Sequence, residues 1–410
     1  MNILVVNYRD RLHPAAGGAE KHLHRIFSLV AEAGHKVVLL TTAFAGCKPR
    51  ETVDGIEVIR KGGDLLFQLT AAMNIRSLDR EFNFDVVVED LNKLPLFTPF
   101  LIKKPVVVQM HHLWRGSIFH EAAFPVAFVV WAFERMIPFF YTKQPFIVVS
   151  PSTRRELSEI GVEEDRISVI YNGSDDVDPI QKEPGSDDVE PTQMEPGSDD
   201  VEPTTLPEES APGEETDETP STPYFLWLSR VHRYKGIWTA LEAFEKFAEN
   251  HPDVKLVVAG DGPLLKKIPA WLNQRGLSDR VDLLGFVSTA KKRKLLQNAV
   301  ALLQTSYKEG WGLTVVEAAK LGTTTIACDV PGLRDSVRNG ETGLLFPVGD
   351  AESCAFEMDR IYSNDDLRMR LAQAAREYAD EFRWDIAAEM TLDLLQDTVI
   401  QHQVSEASDE

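Results

Sequence analysis

Two cations follow one apolar run in the second half of the chain. The run Phe-Leu-Trp-Leu (225–228) leads into Ser-Arg230-Val-His-Arg-Tyr-Lys235-Gly. An arginine supplies a bidentate clamp and a lysine a point charge, and a diphosphate is bound well by that combination. A solvated basic turn has the same composition, so both interpretations stay open for Arg230 and Lys235 taken alone.

A second candidate is a pair of glutamates that flank two glycines in Glu309-Gly-Trp-Gly-Leu-Thr-Val-Val-Glu317. The pattern predicts a loop that carries Glu309 and a helix that begins near Leu313 and carries Glu317. The amides of Gly312, Leu313 and Thr314 would meet an anion at the helix N-terminus. A carboxylate can also accept hydrogen bonds from sugar or ribose hydroxyls. Solvated charge is the alternative, but the glycine pattern favours a binding site.

Three more loops could bring backbone or a side chain close to a ligand. Gly17 and Gly18 precede a helical pattern, where paired glycines allow close backbone approach and a helix N-terminus attracts phosphate. Gly260 begins Gly-Asp-Gly-Pro after another apolar run. His111 follows the run 106–109 and could donate a hydrogen bond into a cleft. Tight turns and a structural histidine are the alternatives.

Absent motifs and the charge balance exclude some function classes. No G-x-G-x-x-G follows the first apolar run, which argues against a dinucleotide-dependent dehydrogenase. No G-x-x-x-x-G-K-[ST] occurs in the sequence, which argues against a P-loop NTPase. The formal net charge of −21 argues against a general nucleic-acid binder, which normally has a basic face.

The elements that must position these loops alternate between short apolar runs and amphipathic helical patterns, such as 19–33 before Gly34. This alternation predicts an α/β chain with two halves of similar kind, each a parallel sheet covered on both faces. Ligands bind beyond the carboxyl ends of such strands. The predicted strands are 3–6, 37–41, 86–88, 106–109, 147–149, 168–170, 225–228, 255–259, 281–284, 301–304 and 324–327.

Residues 174–223 differ in composition from the rest of the chain. They contain 17 Asp and Glu residues and one Lys, no aromatic residue, and repeats of Gly-Ser-Asp-Asp-Val-(Asp/Glu)-Pro that begin at Gly173, Gly185 and Gly197. A repeat this polar cannot bury a core, so we expect a disordered acidic linker. It accounts for most of the net charge and leaves two nearly balanced halves. A salt-adapted host is a further hypothesis for such a linker.

The cysteines and one apolar segment bear on the compartment. Cys47, Cys328 and Cys354 form no Cys-x-x-Cys pair, so we expect neither a disulfide framework nor a zinc site, and a reducing, cytoplasmic location. No signal-peptide pattern opens the sequence. The run 122–141 is interrupted by two charges and is too short to span a bilayer. It predicts either core helices or an amphipathic surface that docks on the inner face of the cell membrane.

Together these features resemble a glycosyltransferase of family 4, with the GT-B architecture of two Rossmann-like domains. The resemblance covers nearly the whole chain outside the acidic segment. The matching residues are Gly17-Gly-Ala-Glu20, His111, Val149-Ser-Pro-Ser-Thr153, Asn172-Gly173, Arg230 with Lys235-Gly236, Gly260-Asp-Gly-Pro263, Gly285-Phe-Val287, Glu309 with Glu317, Asp329-Val-Pro-Gly332 and Gly340-Glu-Thr-Gly343.

The resemblance implies a division of the chain. Residues 1–173 would form an N-terminal Rossmann-like acceptor domain, and 174–223 the disordered acidic insertion. Residues 224–383 would form a C-terminal Rossmann-like nucleotide-sugar domain that faces the first across a cleft. Residues 384–402 would form a helix that crosses back to the N-terminal domain.

The resemblance also implies roles for the site residues. Arg230 and Lys235 would hold the donor diphosphate in place of a metal. Glu309 would contact hydroxyls of the transferred sugar and Glu317 those of the ribose, while His111 would lie at the primary hydroxyl of the sugar. The remaining donor-binding positions would act through backbone close to the phosphates, the sugar and the base, and they are Gly17, Gly18, Gly260, Val287, Gly312, Leu313 and Thr314.

The implied activity is retaining transfer from a nucleotide-diphosphate sugar to a glycan or lipid-linked acceptor, with no metal or other cofactor and no nucleic-acid partner. Two other function classes stay open. One is another enzyme of the same fold, such as a sugar-nucleotide epimerase or a phosphorylase. The other is a catalytically silent sugar-binding scaffold, against which the intact charged residues argue.

Overall fold

The computed structural model describes residues 1–63, 66–92, 94–175 and 220–409. Most of the predicted linker lies outside the described residues. Its first two residues belong to the folded part, because the Ser174 amide donates to the Phe382 carbonyl (3.2 Å) and Asp175 accepts from Trp384 Nε1 (3.1 Å). Ordered contacts therefore continue past the predicted boundary at residue 173.

A parallel sheet forms the centre of the first domain. Its strands are β1 (Asn2–Val6), β2 (Lys36–Thr41), β3 (Arg50–Val53), β4 (Ile56–Arg60), β5 (Val86–Asp90), β6 (Val106–Met110), β7 (Phe146–Val148) and β8 (Ile167–Val169). They lie in the order β3-β4-β2-β1-β5-β6-β7-β8, with β3 antiparallel to β4 and the other pairs parallel. Consecutive residues of β5 and β6 are all buried, as layers on both faces require.

Helices cover this sheet. They are α1 (Gly18–Glu32), α2 (Phe67–Phe82), α3 (Thr98–Leu101), α4 (Ile118–Glu121), α5 (Phe124–Phe140) and α6 (Pro151–Glu159). The helix predicted at 19–33 is confirmed as α1. Its apolar residues Leu23, Ile26 and Val30 recur at helical spacing and pack into the core.

The second domain repeats the architecture with a second parallel sheet. Its strands are β9 (Tyr224–Leu228), β10 (Lys255–Ala259), β11 (Val281–Gly285), β12 (Leu302–Gln304), β13 (Thr325–Cys328) and β14 (Gly343–Phe346), in the order β11-β10-β9-β12-β13-β14. Its helices are α7 (Ile237–Ala248), α8 (Ile268–Arg275), α9 (Thr289–Asn298), α10 (Leu313–Lys320), α11 (Leu333–Ser336), α12 (Ala351–Tyr362) and α13 (Asp365–Ala379). The predicted α/β fold with two Rossmann-like halves is confirmed.

The last helix, α14 (Trp384–Asp409), returns to the first domain. It packs against α1 and approaches β5 and β6. Its residues Ala387, Ala388 and Leu395 are buried in the first-domain core. The helix continues beyond the predicted end at residue 402.

Strands β3, β4 and β14 were not predicted. The β3–β4 hairpin turns at Asp54-Gly55, where both residues have positive φ (52° and 77°). Asp-Gly is a strong signal for such a two-residue turn, so the hairpin could have been found from sequence. β14 is a short strand at the edge of the second sheet, and it begins at the last glycine of the matched Gly340-Glu-Thr-Gly343 motif.

The apolar run 122–141 forms α5, and the core-helix interpretation accounts for one side of it. Ala127, Val130 and Ile137 are buried, whereas Phe124 and Phe128 on the opposite side are exposed. Within the described residues, no helix combines the length and apolar character needed to cross a membrane.

Candidate functional site

The candidate site lies where strand ends of the two domains meet. Lys235 follows β9 in a 3-10 turn and Glu309 follows β12, and Lys235 Nζ lies 2.5 Å from Glu309 Oε1. Ser306 Oγ donates to the same carboxylate oxygen at 2.8 Å. Burial alone would lower the pKa of Lys235, but Glu309 outweighs it and the pKa lies above its usual value. Lys235 is therefore held in its charged form against Glu309.

Local packing explains why the backbone turns at Lys235 and Gly236, between β9 and α7. Gly236 has φ +69°, and a Cβ there would lie 2.0 Å from the Thr305 carbonyl oxygen. Thr305 Oγ1 donates to the Gly236 carbonyl (2.8 Å), and Trp227 Nε1 donates to Thr305 Oγ1 (3.0 Å). Only glycine fits this conformation and this close approach, so the Lys235 turn is bound to the end of β12.

Arg230 lies between the two domains. Its Nη2 donates to the Tyr234 hydroxyl at 2.8 Å. On the first-domain side, a Cβ built on Gly17 would lie 3.6 Å from Arg230 Cζ. The Trp114 ring also approaches Tyr234, with centroids 5.6 Å apart. The loop after β1 thus comes close to a cation of the second domain.

Glu317 is held by two lysines that sequence reasoning missed. Lys21 Nζ and Lys292 Nζ each lie 3.0 Å from Glu317 Oε1. Burial acts to raise the pKa of Glu317, but the two ammonium groups outweigh it and the pKa lies below its usual value. Lys21 comes from the first domain, directly after the predicted Gly-Gly-Ala-Glu motif, and Lys292 from a basic run on α9. The sequence signals that could have identified them are the position of Lys21 next to the glycine motif and the basic run that contains Lys292.

The start of α10 is placed against the first domain. Gly312 precedes the helix with φ +92°, and Leu313 is its first residue. A Cβ on Gly18 would lie 3.2 Å from Leu313 Cδ1, so the glycine loop and this helix start are adjacent. The first amides of a helix, here including Thr314, have no acceptor within the helix. The structure therefore places the Gly17–Gly18 loop beside the first residue of α10.

His111 lies deeper, at the end of β6. Its Nε2 is 3.3 Å from Asp90 Oδ2, and its ring is 4.9 Å from that of His22. Burial acts to lower the pKa of His111, but Asp90 outweighs it and the pKa is raised. Its carbonyl oxygen lies against Gly310, where a Cβ would come within 2.3 Å. His111 thus borders the Glu309 loop through its backbone.

Two predicted positions, Gly260 and Val287, follow the strands β10 and β11 and do not lie with the charged residues of the site. Gly260 follows β10 with φ +132°, and a Cβ there would lie 1.9 Å from the Ser229 carbonyl oxygen. Its amide donates to the Gly285 carbonyl at 2.6 Å. Val287 follows β11 and is half-buried against the second-domain core. β10 lies next to β9 and β11 lies beyond β10, so both positions are on the opposite side of β9 from β12.

A second pair of charges joins the two domains next to the Glu309 loop. Lys308 Nζ lies 2.6 Å and 2.7 Å from the two carboxylate oxygens of Glu156 on α6, and both side chains are buried. The Ser152 amide donates to Asp335 at 3.0 Å, again across the domains. Because Lys308 directly precedes Glu309, this ion pair ties the Glu309 loop to the first domain.

In the part of the chain that the structure describes, no three His, Cys, Asp or Glu side chains form a group that could hold a metal ion. That the reaction needs no metal remains a prediction.

Two family models match the chain along its two halves. "Glycosyltransferase Family 4" matches residues 16–177, and "Glycosyl transferases group 1" matches residues 214–378. Between them they include both glycine loops, the cations and the two glutamates. The chain belongs to the GT4-type glycosyltransferases. The predicted family is therefore confirmed, and with it the activity of a glycosyltransferase.

Relatives of this glycosyltransferase match either most of its length or one part of it. Glycogen synthase of Mycobacterium tuberculosis is 24% identical over 95% of this chain and 93% of its own. D-inositol 3-phosphate glycosyltransferase of Xylanimonas cellulosilytica is 30% identical over 42% of each chain.

Solved structures show the same fold. Sucrose-phosphate synthase from Thermosynechococcus elongatus has a TM-score of 0.74 at 19% identity, over 97% of this chain and 98% of that one. Anabaena HepE in complex with UDP-glucose has a TM-score of 0.72 at 17% identity, over 97% and 100%. At these identities the likeness establishes the GT-B fold alone.

Proposed function

We propose that this glycosyltransferase transfers a hexose from a nucleotide-diphosphate sugar to a glycan or lipid-linked acceptor, with retention of anomeric configuration. The observation that supports the donor class is the placement of Arg230 and Lys235 together after β9, opposite the Gly17–Gly18 loop. Fixed cations beside a glycine loop that allows close backbone approach suit the negative charge that develops on a departing diphosphate. The HepE complex with UDP-glucose, on the same fold, is consistent with such a donor.

The carboxylates would orient the two sugar rings of the donor. Glu309 is held by Lys235 and Ser306, which leaves its second oxygen to accept a hydrogen bond from a hydroxyl of the transferred sugar. Glu317, held between lysines, would accept from the ribose hydroxyls. His111 would contact the sugar at its primary hydroxyl, and the backbone near Val287 would face the base.

In the proposed reaction the bond between C1 of the sugar and the phosphate oxygen breaks. The acceptor oxygen bonds to C1 on the same face, and the acceptor proton passes to the departing phosphate oxygen. Arg230 and Lys235 stabilise the charge on the leaving group, which is the task that a metal ion performs in other enzymes. We therefore propose that no metal is required.

Substitution of the charged pair tests the site. Glu309→Gln and Lys235→Met should each lower turnover at least about 100-fold, since such contacts act mainly in the transition state. Lys246→Met, on the exposed face of α7, is the matched control. Donor screening by thermal shift would supply the substrate. Near-wild-type turnover in both site variants would refute the assignment.

Product analysis separates this proposal from the other enzymes of the fold. Free nucleoside diphosphate should appear only when an acceptor is added, whereas an epimerase would convert the donor without one. The coupling constant of the anomeric proton in the product, measured by NMR, should show the configuration of the donor. Inverted product would contradict the retaining mechanism. Turnover that is lost in EDTA and restored by Mg²⁺ or Mn²⁺ would contradict metal independence.

A further inference from the structure

The outer face of α5 is apolar, contrary to the usual pattern of a surface helix. Phe124, Phe128 and Phe139 are 71%, 51% and 75% exposed, and Val129 and Met136 on the same side are also exposed. A surface helix normally turns polar residues to water and apolar ones to the core. Contiguous exposed apolar surface of this kind marks an interaction site.

Aromatic rings continue this face as a row. Phe119 of α4 lies 5.7 Å from Phe124, Phe124 lies 6.3 Å from Phe128, and Phe128 lies 5.8 Å from Trp131, measured between ring centroids. The Arg135 guanidinium stacks over Trp131 at 4.5 Å. We call the surface formed by Phe119, Phe124, Phe128, Trp131, Arg135 and Phe139 the aromatic face.

The charges of α5 are divided between its two sides. Within the helix sequence only Glu134 and Arg135 are charged. Glu134 is buried and accepts the Trp114 and Arg115 amides at 2.6 Å and 2.7 Å. Arg135 is exposed on the aromatic face, and Lys143 is exposed just after the helix. The helix therefore presents apolar rings and positive charge outward, while its one carboxyl group faces the protein.

We propose that the aromatic face binds an anionic lipid surface, with α5 lying in the plane of the headgroups. Helices that bind a membrane interface typically expose Phe and Trp side chains with Lys or Arg beside them. Aromatic rings bury apolar area there, and arginine can keep its charge at the headgroups. A protein interface of useful size needs roughly one hydrogen bond per 100–200 Å². The Phe, Val and Met side chains of this face supply no such groups, and the two donors beside them, the Trp131 indole and the Arg135 guanidinium, suit anionic headgroups, so charge and chemistry both favour lipid.

The aromatic face is connected to the candidate site. α4, which carries Phe119, contacts the turn Arg233–Lys235. The Trp114 amide is held by Glu134, and the Trp114 ring lies against Tyr234, to which Arg230 donates. A bound membrane would therefore lie beside the entrance to the donor site. The enzyme could then bind a lipid-linked acceptor at the membrane surface. Only this statement about the acceptor rests on the proposed function.

Vesicle binding by the full chain tests the proposal. Wild type should float with vesicles of phosphatidylglycerol and phosphatidylcholine, and less with phosphatidylcholine alone. Phe124→Ser with Phe128→Ser should weaken binding at least about 10-fold, because each exposed ring contributes apolar burial. Arg135→Glu should weaken binding to the anionic vesicles selectively. Phe356→Ser, which removes an exposed ring from α12 of the second domain, is the matched control.

The outcomes decide between occupants. No wild-type binding to anionic vesicles at low salt, or equal binding by the Phe124/Phe128 variant, overturns the proposal. Dimers of the wild type that the same variant converts to monomers, without vesicle binding, would assign the face to a second copy of the chain. Vesicle binding needs no turnover, so Glu309→Gln should bind as wild type does even if the proposed reaction proves wrong.

Discussion

Two lysine–glutamate pairs cross between the domains in opposite directions, and they differ in burial. Lys308 of the second domain meets Glu156 of the first, with side chains 7% and 9% exposed. Lys21 of the first domain meets Glu317 of the second, with side chains 33% and 16% exposed. Each pair is close to the candidate site, but only the second includes a residue to which a donor contact is assigned.

The difference in burial separates a structural tie from an exchangeable contact. Lys308 contacts both oxygens of Glu156, and a buried charge left without its partner is costly. Lys21 divides its contacts between Glu317 and Asp175, while Glu317 also has Lys292. Loss of one contact leaves the others in place. We infer that the Lys308 pair maintains the arrangement of the domains and that the Lys21 pair can yield to a substrate hydroxyl.

The largest expected effect is that of breaking the buried pair. Lys308→Met leaves Glu156 charged and buried, and should lower the free energy of unfolding by about 3–5 kcal/mol. Denaturant midpoints and Tm of the purified variants measure this. The double variant with Glu156→Gln should recover much of the loss, because no uncompensated charge is left. A single-variant cost no greater than that of Lys21→Ala would show that burial does not distinguish the pairs.

A smaller effect is expected from pH, through a third carboxyl beside the buried pair. Burial raises the pKa of Glu134 to about 7, against an ordinary value of 4.5. The folded state thus binds this proton more tightly than the unfolded chain, so stability falls as pH rises through 7. Between pH 6 and pH 8 the loss should be about 1 kcal/mol.

Comparison of wild type with Glu134→Gln at the two pH values isolates this contribution, which should shrink in the variant. The pKa of Glu317 is lowered instead, by Lys21 and Lys292 against the effect of burial, so the Lys21 pair should stay charged over the same range. An equal pH dependence in wild type and Glu134→Gln would assign the titration to other groups.

The smallest effect on stability is expected for Lys21→Ala. A partly exposed ion pair contributes about 0–1 kcal/mol, and Lys292 still neutralises Glu317. Donor affinity, measured by calorimetry, should nevertheless change, because the contact competes with a ligand at Glu317. Arg25→Ala is a matched control: Arg25 contacts Asp175 but no Glu317 atom in the described contacts. Equal donor affinity in both variants would remove Lys21 from the site.

The sequence by itself determined the repeating elements and the local turns. Apolar runs with helices between them predicted the two parallel sheets, because strands buried on both faces need such runs. Gly236 and Gly312 were predicted at loop positions, and both have positive φ beside a site residue. Lys235 and Glu309 were predicted as site residues from their strand-end context, and the structure places them in contact.

Only the tertiary structure decided which charges meet and which surfaces stay exposed. Lys21 and Glu317 are 296 positions apart, and Lys308 and Glu156 are 152 apart, so no spacing in the sequence could pair them. The outward aromatic face of α5 was equally hidden, since apolar residues occur on both sides of that helix. Its orientation follows from Glu134, whose carboxylate reaches the Trp114 and Arg115 amides only when that side of the helix faces the protein.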